Sequence, residues 1–140
     1  MVQRSLTALI QKVEEDLDEI RDEFLRIVAQ DLVDSSVKFV DTGAYITSHS
    51  ITTTRGAGRS RTSANKPRRQ DKNFEAAQSL SQLYDDINAL SKDQTMVFIA
   101  NNAPHASAVE YLHGYAVYGS VRNRANYHLE TAKNIVKGRP

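Results

Sequence analysis

Apolar residues recur along the first part of the chain at alternating steps of four and three: Leu6, Ile10, Val13, Leu17, Ile20, Phe24 and Ile27. This spacing forms a coiled-coil type of seam on one long helix, which Ser5 can cap at its start and which the pattern carries to about Val40. Leu9, Leu25, Val28 and Leu32 broaden the seam toward its C-terminal half, while Glu14, Glu15, Asp16, Asp18, Glu19, Asp22 and Glu23 supply an acidic, solvated opposite face. At 1.5 Å per residue such a helix is about 50 Å long. Its apolar positions exceed what the rest of the chain needs for a lid, so part of the seam is expected to pack against another chain.

The pattern then changes. Val40, Asp41, Thr42 and Gly43 form a punctuation point, where Asp41 or Thr42 can accept backbone N–H bonds and Gly43 relaxes the backbone. A short helix over 44–50, with Tyr45, Ile46 and His49 on one side, and a strand over Ile51–Thr54 are expected next. Residues 55–72, RGAGRSRTSANKPRRQDK, lack apolar content and read as a long flexible loop. Asn73 is placed as the cap of a helix over Phe74–Leu90, whose apolar side is Phe74, Ala77, Leu80, Leu83 or Tyr84, and Ile87. A turn at Ser91–Gln94 leads into Met96, Val97, Phe98 and Ile99, a strand expected to be buried on both faces. The Asn101-Asn102-Ala103-Pro104 corner opens a small helix with His105, Val109 and Leu112 along one side and Gly114 at its stop. Tyr115–Gly119 is too brief to classify, and Ser120 is expected to cap a last helix over Val121–Lys137, with Ala125, Leu129, Ala132, Ile135 and Val136 apolar.

Together these elements define an α+β chain with a long N-terminal helix, a small antiparallel sheet bearing an extended basic loop, and flanking helices that include a C-terminal one. Its 140 residues fit one domain. The divisions are a long helix over 1–40, a turn, short helix and strand over 41–54, the basic loop over 55–72, and a helix-strand-helix-helix core over 73–140.

Composition sharpens this picture in three ways. The absence of cysteine removes disulfides, thiolate metal sites and cysteine nucleophiles. No apolar run reaches membrane-span length, and the N-terminus lacks the apolar stretch of a secretory signal. Net charge is only +1, yet residues 1–34 hold nine acids against four bases and residues 55–72 hold seven bases against one acid. One copy's acidic helix can therefore face another copy's basic loop. Arg55, Arg59, Arg61, Lys66, Arg68, Arg69 and Lys72 could instead track a phosphate backbone, making the chain a nucleic-acid-binding module. The lack of interleaved aromatics favours docking on protein.

Candidate chemistry is sparse. Gly56 and Gly58 give a GxG spacing without GxGxxG or GK[ST], so no phosphate cradle is specified. His105 and His113 lie eight apart with no HExxH pair, and His49 and His128 are isolated, which suits caps or interface groups better than metal ligands. Ser107, His105 and Glu110 are close in sequence but have no GxSxG elbow. A single Asp41-Thr42-Gly43 triplet lacks the partner aspartate of an aspartic protease. The reading is a protein that is not an enzyme, with no cofactor and no metal.

The segments VDTGAYITSHSI and NNAPHASAVEYLHG, set between the long helix and the closing helix, resemble the neck and tail-completion proteins of tailed bacteriophages, a family that includes the minor tail protein Z type of lambda-like phages. The family's VDTG-x-L-x-x-S pattern is met by Val40, Asp41, Thr42, Gly43 and Ser48, with Ile46 near the usual leucine. Its N-x-x-P/V-Y-A-x-x-V-E-x-G pattern is met by Asn102, Ala103, His105 in place of tyrosine, Ala106, Val109, Glu110 and, one residue late, Gly114. The resemblance implies a non-catalytic virion subunit made in the host cytoplasm. It would assemble with itself as a ring, hexameric or dodecameric, between the portal and adaptor proteins and the tail or neck proteins, beside the DNA channel and away from any membrane. The seam residues Leu6, Ile10, Val13, Leu17, Ile20 and Phe24 and the loop's basic residues are then its assembly contacts.

Overall fold

The computed structural model of the chain describes residues 2–37, 45–60, 71–94, 96–103, 106 and 117–139, with the side chains of the first helix described from Asp16 onward. The order of elements is α1 (Val2–Ser36), a 3₁₀ turn (Ile46–Ser48), β1 (His49–Thr52), α2 (Lys72–Asn88), β2 (Phe98–Asn101), α3 (Val117–Asn123) and α4 (Ala125–Lys137). This is the α+β arrangement expected, with a long N-terminal helix, one antiparallel pair of strands and a C-terminal helix.

The long helix organises the rest through two adjacent stripes. Leu25, Ala29 and Val33, at steps of four, close on Ile46, Ile51, Leu83 and Ile87 from the β1 and α2 side. Val28 and Leu32, the neighbouring stripe, close on Tyr45, Ala103, Val117 and Val121. Phe24 and Ile99 touch both clusters and join them into one core. Of the residues read as broadening the seam, Leu25, Val28 and Leu32 are buried, joined by Ala29 and Val33, which the spacing did not single out, while the described part of the seam lies toward the edge: Ile20 and Phe24 are half-buried and Leu17 is 60% exposed.

Several boundaries differ from expectation for identifiable reasons. α1 begins at Val2, so Ser5 falls within the helix and not at the position before it, and the helix ends at Ser36, whose hydroxyl donates to Leu32 O at 2.6 Å. The segment expected as a short helix is a single 3₁₀ turn, and β1 starts at His49, two residues early, because His49 belongs to the buried face of the sheet. α2 is capped by Asp71, whose carboxylate accepts the Phe74 amide at 2.9 Å, and Asn73 falls in its first turn. The inward row of α2 is Glu75, Ser79, Leu83 and Ile87; Phe74, 65% exposed, and Ala77 face outward. Ser79 sits in that row because the facing 3₁₀ turn offers a main-chain partner, and it donates to Ile46 O at 2.6 Å.

β2 is Phe98–Asn101, not Met96–Ile99, and none of its residues is fully buried; Met96 is 66% exposed. A two-stranded sheet with one face on α1 cannot enclose a strand on both sides. The expected closing helix is two helices meeting at Arg124, whose side chain bonds Asp31 of α1. Ser120 lies within α3. The small helix from His105 to Gly114 lies outside the described residues apart from Ala106, which bonds Ala103 O through its amide.

Replacing Leu83, fully buried between α1 and α2, by alanine is expected to lower unfolding stability in urea by about 2–5 kcal/mol, whereas Phe74→Ala, assigned by periodicity to the same apolar side, is expected to change it by less than ~0.5 kcal/mol.

Candidate functional site

The densest polar arrangement lies beneath the sheet and is centred on His49, which is 1% exposed. Its Nε2 is 2.9 Å from Ser36 Oγ at the end of α1, and its Nδ1 is 2.7 Å from Tyr118 Oη of α3 and 3.2 Å from Asn101 Nδ2 of β2. The Ser36 hydroxyl proton is already committed to Leu32 O, so Ser36 can only accept from His49. His49 is thus the neutral Nε2–H tautomer, and its Nδ1 lone pair receives donors from Tyr118 and Asn101. Burial, which disfavours the imidazolium, pushes its pKa down to about 3. Asn101 Nδ2 also donates to Tyr45 O at 2.7 Å, and Asn101 Oδ1 accepts the Ala103 amide, so one side chain fixes both ends of the surrounding chain. Ser36 is as buried as His49, and the cluster presents no exposed nucleophile. Its chemistry is that of a satisfied polar core.

The second arrangement is the anchor at Arg59. Its guanidinium donates to His49 O (2.6 Å), Ser50 Oγ (3.2 Å) and Gln82 O (3.2 Å) and pairs with the Asp86 carboxylate at 2.5 and 3.1 Å. Asp86 also accepts the Ile51 amide at 3.0 Å. Beside it, Gly58 has φ +119°, and a Cβ there would stand 2.6 Å from Ser50 Cβ. The Gly56 and Gly58 spacing therefore serves a turn laid against β1. Asn102 closes the same turn by donating to Gly56 O and Ala57 O, and the Ser60 hydroxyl donates to Asn102 O at 2.7 Å.

The acidic side of α1 is the third. It is not simply solvated, because other parts of the chain dock on it. Arg21 Nη1 donates to Ser91 O and Gln94 O at 2.9 Å each, and Asp18 accepts the amide of Asp93, whose φ is 65°. Arg139 pairs with Glu19 and Glu23. Asp31 holds Arg124 at 2.7 and 2.8 Å and His128 at 2.6 Å. Burial raises the Asp31 pKa, but hydrogen bonds from Arg124 and His128 and the Arg124 charge outweigh it and hold the carboxyl below its usual range.

The expected assembly residues are distributed unevenly over these features. Leu17 is exposed and available, and Ile20 and Phe24 are half-buried; the side chains of Leu6, Ile10 and Val13 lie outside the described residues. Arg55 is exposed, but Arg59 is an internal anchor and not a free loop cation, because Asp86 and three main-chain and hydroxyl oxygens use its donors. Arg61, Lys66, Arg68 and Arg69 lie outside the described residues, as do Asp41, Thr42, Gly43, Val109, Glu110 and Gly114 of the motif segments and His105, Ser107 and His113. Of the motif residues described, Asn102 clamps the Gly56 turn and Ala106 packs on the second core cluster. Sequence reasoning missed Ser36, Asn101, Tyr118 and Asp86, which no local pattern marks; the only available sign was a polar residue on an otherwise apolar stripe. Glu75 was also missed: it is buried with its Oε2 unpaired.

Among the described residues, no group of three or more His, Asp or Glu is placed to hold a metal ion, and no helix is long and apolar enough to cross a membrane. Comparison of the chain with protein-family models, with curated proteins and with solved structures finds no match.

Above pH 6.5 His49 is neutral in both folded and unfolded chains; below it only the unfolded chain takes up a proton, so stability falls with pH until the folded value near 3 is reached. Urea unfolding is expected to lose about 2 kcal/mol from this group between pH 7.5 and 5, and His49→Gln is expected to remove that slope whatever its effect at neutral pH. Arg59→Ala, which strands the Asp86 carboxylate, is expected to cost roughly 2–3 kcal/mol in the same measurement.

Proposed function

We propose that this chain is a structural subunit of the head-to-tail neck of a tailed-bacteriophage virion, assembling with copies of itself into a ring that joins the tail to the portal side of the capsid. The observation that carries the reading is Leu17, a large apolar side chain left 60% exposed on the seam that continues through Leu6, Ile10 and Val13. Among the described side chains, the contacts that tie α1 to the rest of the chain run from Asp18 to Val37. Residues 2–17 make up about 24 Å of the helix. A repeat of apolar positions on such a length is suited to helices of neighbouring copies. The sealed polar core supports a structural role over a catalytic one, since His49 and Ser36 have no exposed face on which a substrate could act. The motif segments around Asp41–Gly43 and Asn102–Gly114 supply the link to the neck and tail-completion family.

Binding of DNA by the basic loop is the competing reading, and Arg59 no longer supports it. Purified chain is expected to sediment as a closed oligomer, and to appear as rings by negative-stain electron microscopy, with Leu17→Glu shifting it to monomer. A wild-type monomer that binds neither portal nor tail proteins overturns the proposal.

A further inference from the structure

The two edges of the sheet are treated differently. On β1 the outward groups are occupied: the Ile51 amide donates to Asp86 and the His49 carbonyl accepts from Arg59. Because these two residues point away from β2, the antiparallel alternation makes Ser50 and Thr52 the residues that exchange bonds with Ala100 and Phe98. The same alternation turns the main-chain groups of Ile99 and Asn101 to the opposite side, along the outer edge of β2. No described residue hydrogen-bonds the amide or carbonyl of either.

An open apolar groove of about 190 Å³ adjoins that edge. It is lined by Phe24, Val28 and Leu32 of α1, by Ile99, and by Val121 and Ala125 of α3 and α4, so it lies between β2 and the last two helices. Arg122 stands at it as well, exposed and with no carboxylate partner among the described residues. Donors and acceptors at strand spacing, an apolar trough beside them and one unpaired cation specify an occupant with a main chain of its own. Only an extended polypeptide meets all three.

We propose that the outer edge of β2 binds an extended segment of a partner protein, which adds as a third strand, sets an apolar side chain into the groove against Phe24, Val28 and Ile99, and places a carboxylate on Arg122. A third strand also completes a sheet that is marginal at two. The inference stands on the edge and the groove, and it holds whether or not the chain builds a ring.

The test is selection of short random peptides displayed against the full chain, followed by binding of the recovered peptides by fluorescence anisotropy and by amide hydrogen exchange. Recovered sequences are expected to alternate apolar and polar residues around an Asp or Glu. Arg122→Glu, an exposed change, is expected to weaken the acidic peptides by roughly tenfold or more and to select basic ones instead. In the free chain the Ile99 and Asn101 amides are expected to exchange fast, and to slow by about a hundredfold or more when peptide saturates, with Ile51 unchanged. The proposal is overturned if Ile99 is already as protected as Ile51 in the free chain, if its protection rises with chain concentration alone (which would assign the edge to a second copy), if no peptide is recovered above background, or if the recovered peptides lack the alternation or protect other amides.

Discussion

A single neutral imidazole ties four elements together. His49 belongs to β1, gives its proton to Ser36 at the end of α1, and receives protons from Tyr118 of α3 and Asn101 of β2. The Ser36 contact is fully buried, so removing that hydroxyl leaves the Nε2–H unpaired, at a cost of about 1–3 kcal/mol, while Nδ1 keeps one donor if either Tyr118 or Asn101 is lost. The ring also sets a geometric constraint. Its two nitrogens point in fixed directions, and α1, the sheet and α3 must take positions that satisfy both. The two apolar clusters on either side then fill around a frame whose angles are already decided.

A similar economy governs charge. The chain's sign asymmetry suggested attraction between copies, yet much of it is used within one chain. Asp86 takes Arg59, Asp31 takes Arg124 and His128, and Glu19 and Glu23 take Arg139. Arg21 is the subtler case, since besides pairing with Asp22 it donates to two carbonyls and so fastens the Ser91–Gln94 turn that precedes β2. The acidic stripe of α1 works as a docking rail for the turn before β2 and for the end of α4.

What the sequence made legible follows from the range over which each signal acts. Periodicity is local, so the long helix, α2 and the turn before β2 could be placed from spacing alone. The composition of 55–72 marked a departure from packed structure, although its first residues prove to be pinned by Arg59. Burial is not local. Phe74 and Leu83 look alike along the helix, and only the position of α1 decides that one is exposed and the other enclosed. The Asp71 cap was lost to Asn73 because both suit the role and two residues separate them. The His49 cluster was least legible of all, since Ser36, Asn101 and Tyr118 are ordinary polar residues until the fold brings them within 3.2 Å of one ring. The partner of Arg124 was hidden for the same reason, being a carboxylate 93 residues away.

That last separation bears on how the protein is made. The ties of α1 to the rest of the chain are distant in sequence: 73 residues from Arg21 to Gln94, 93 from Asp31 to Arg124, 116 from Glu23 to Arg139. Translation at about 5–20 residues per second leaves the helix waiting roughly 5–20 s before α4 emerges to cover it. During that interval the stripe of Leu25, Ala29 and Val33 can already close on Ile46, Ile51, Leu83 and Ile87, while the stripe of Val28 and Leu32 waits for Val117 and Val121 of α3. The stripe of Val28 and Leu32 is therefore the one open longest to another nascent chain or a chaperone, and the arrival of α3 and α4 is the step that commits the helix to its own fold.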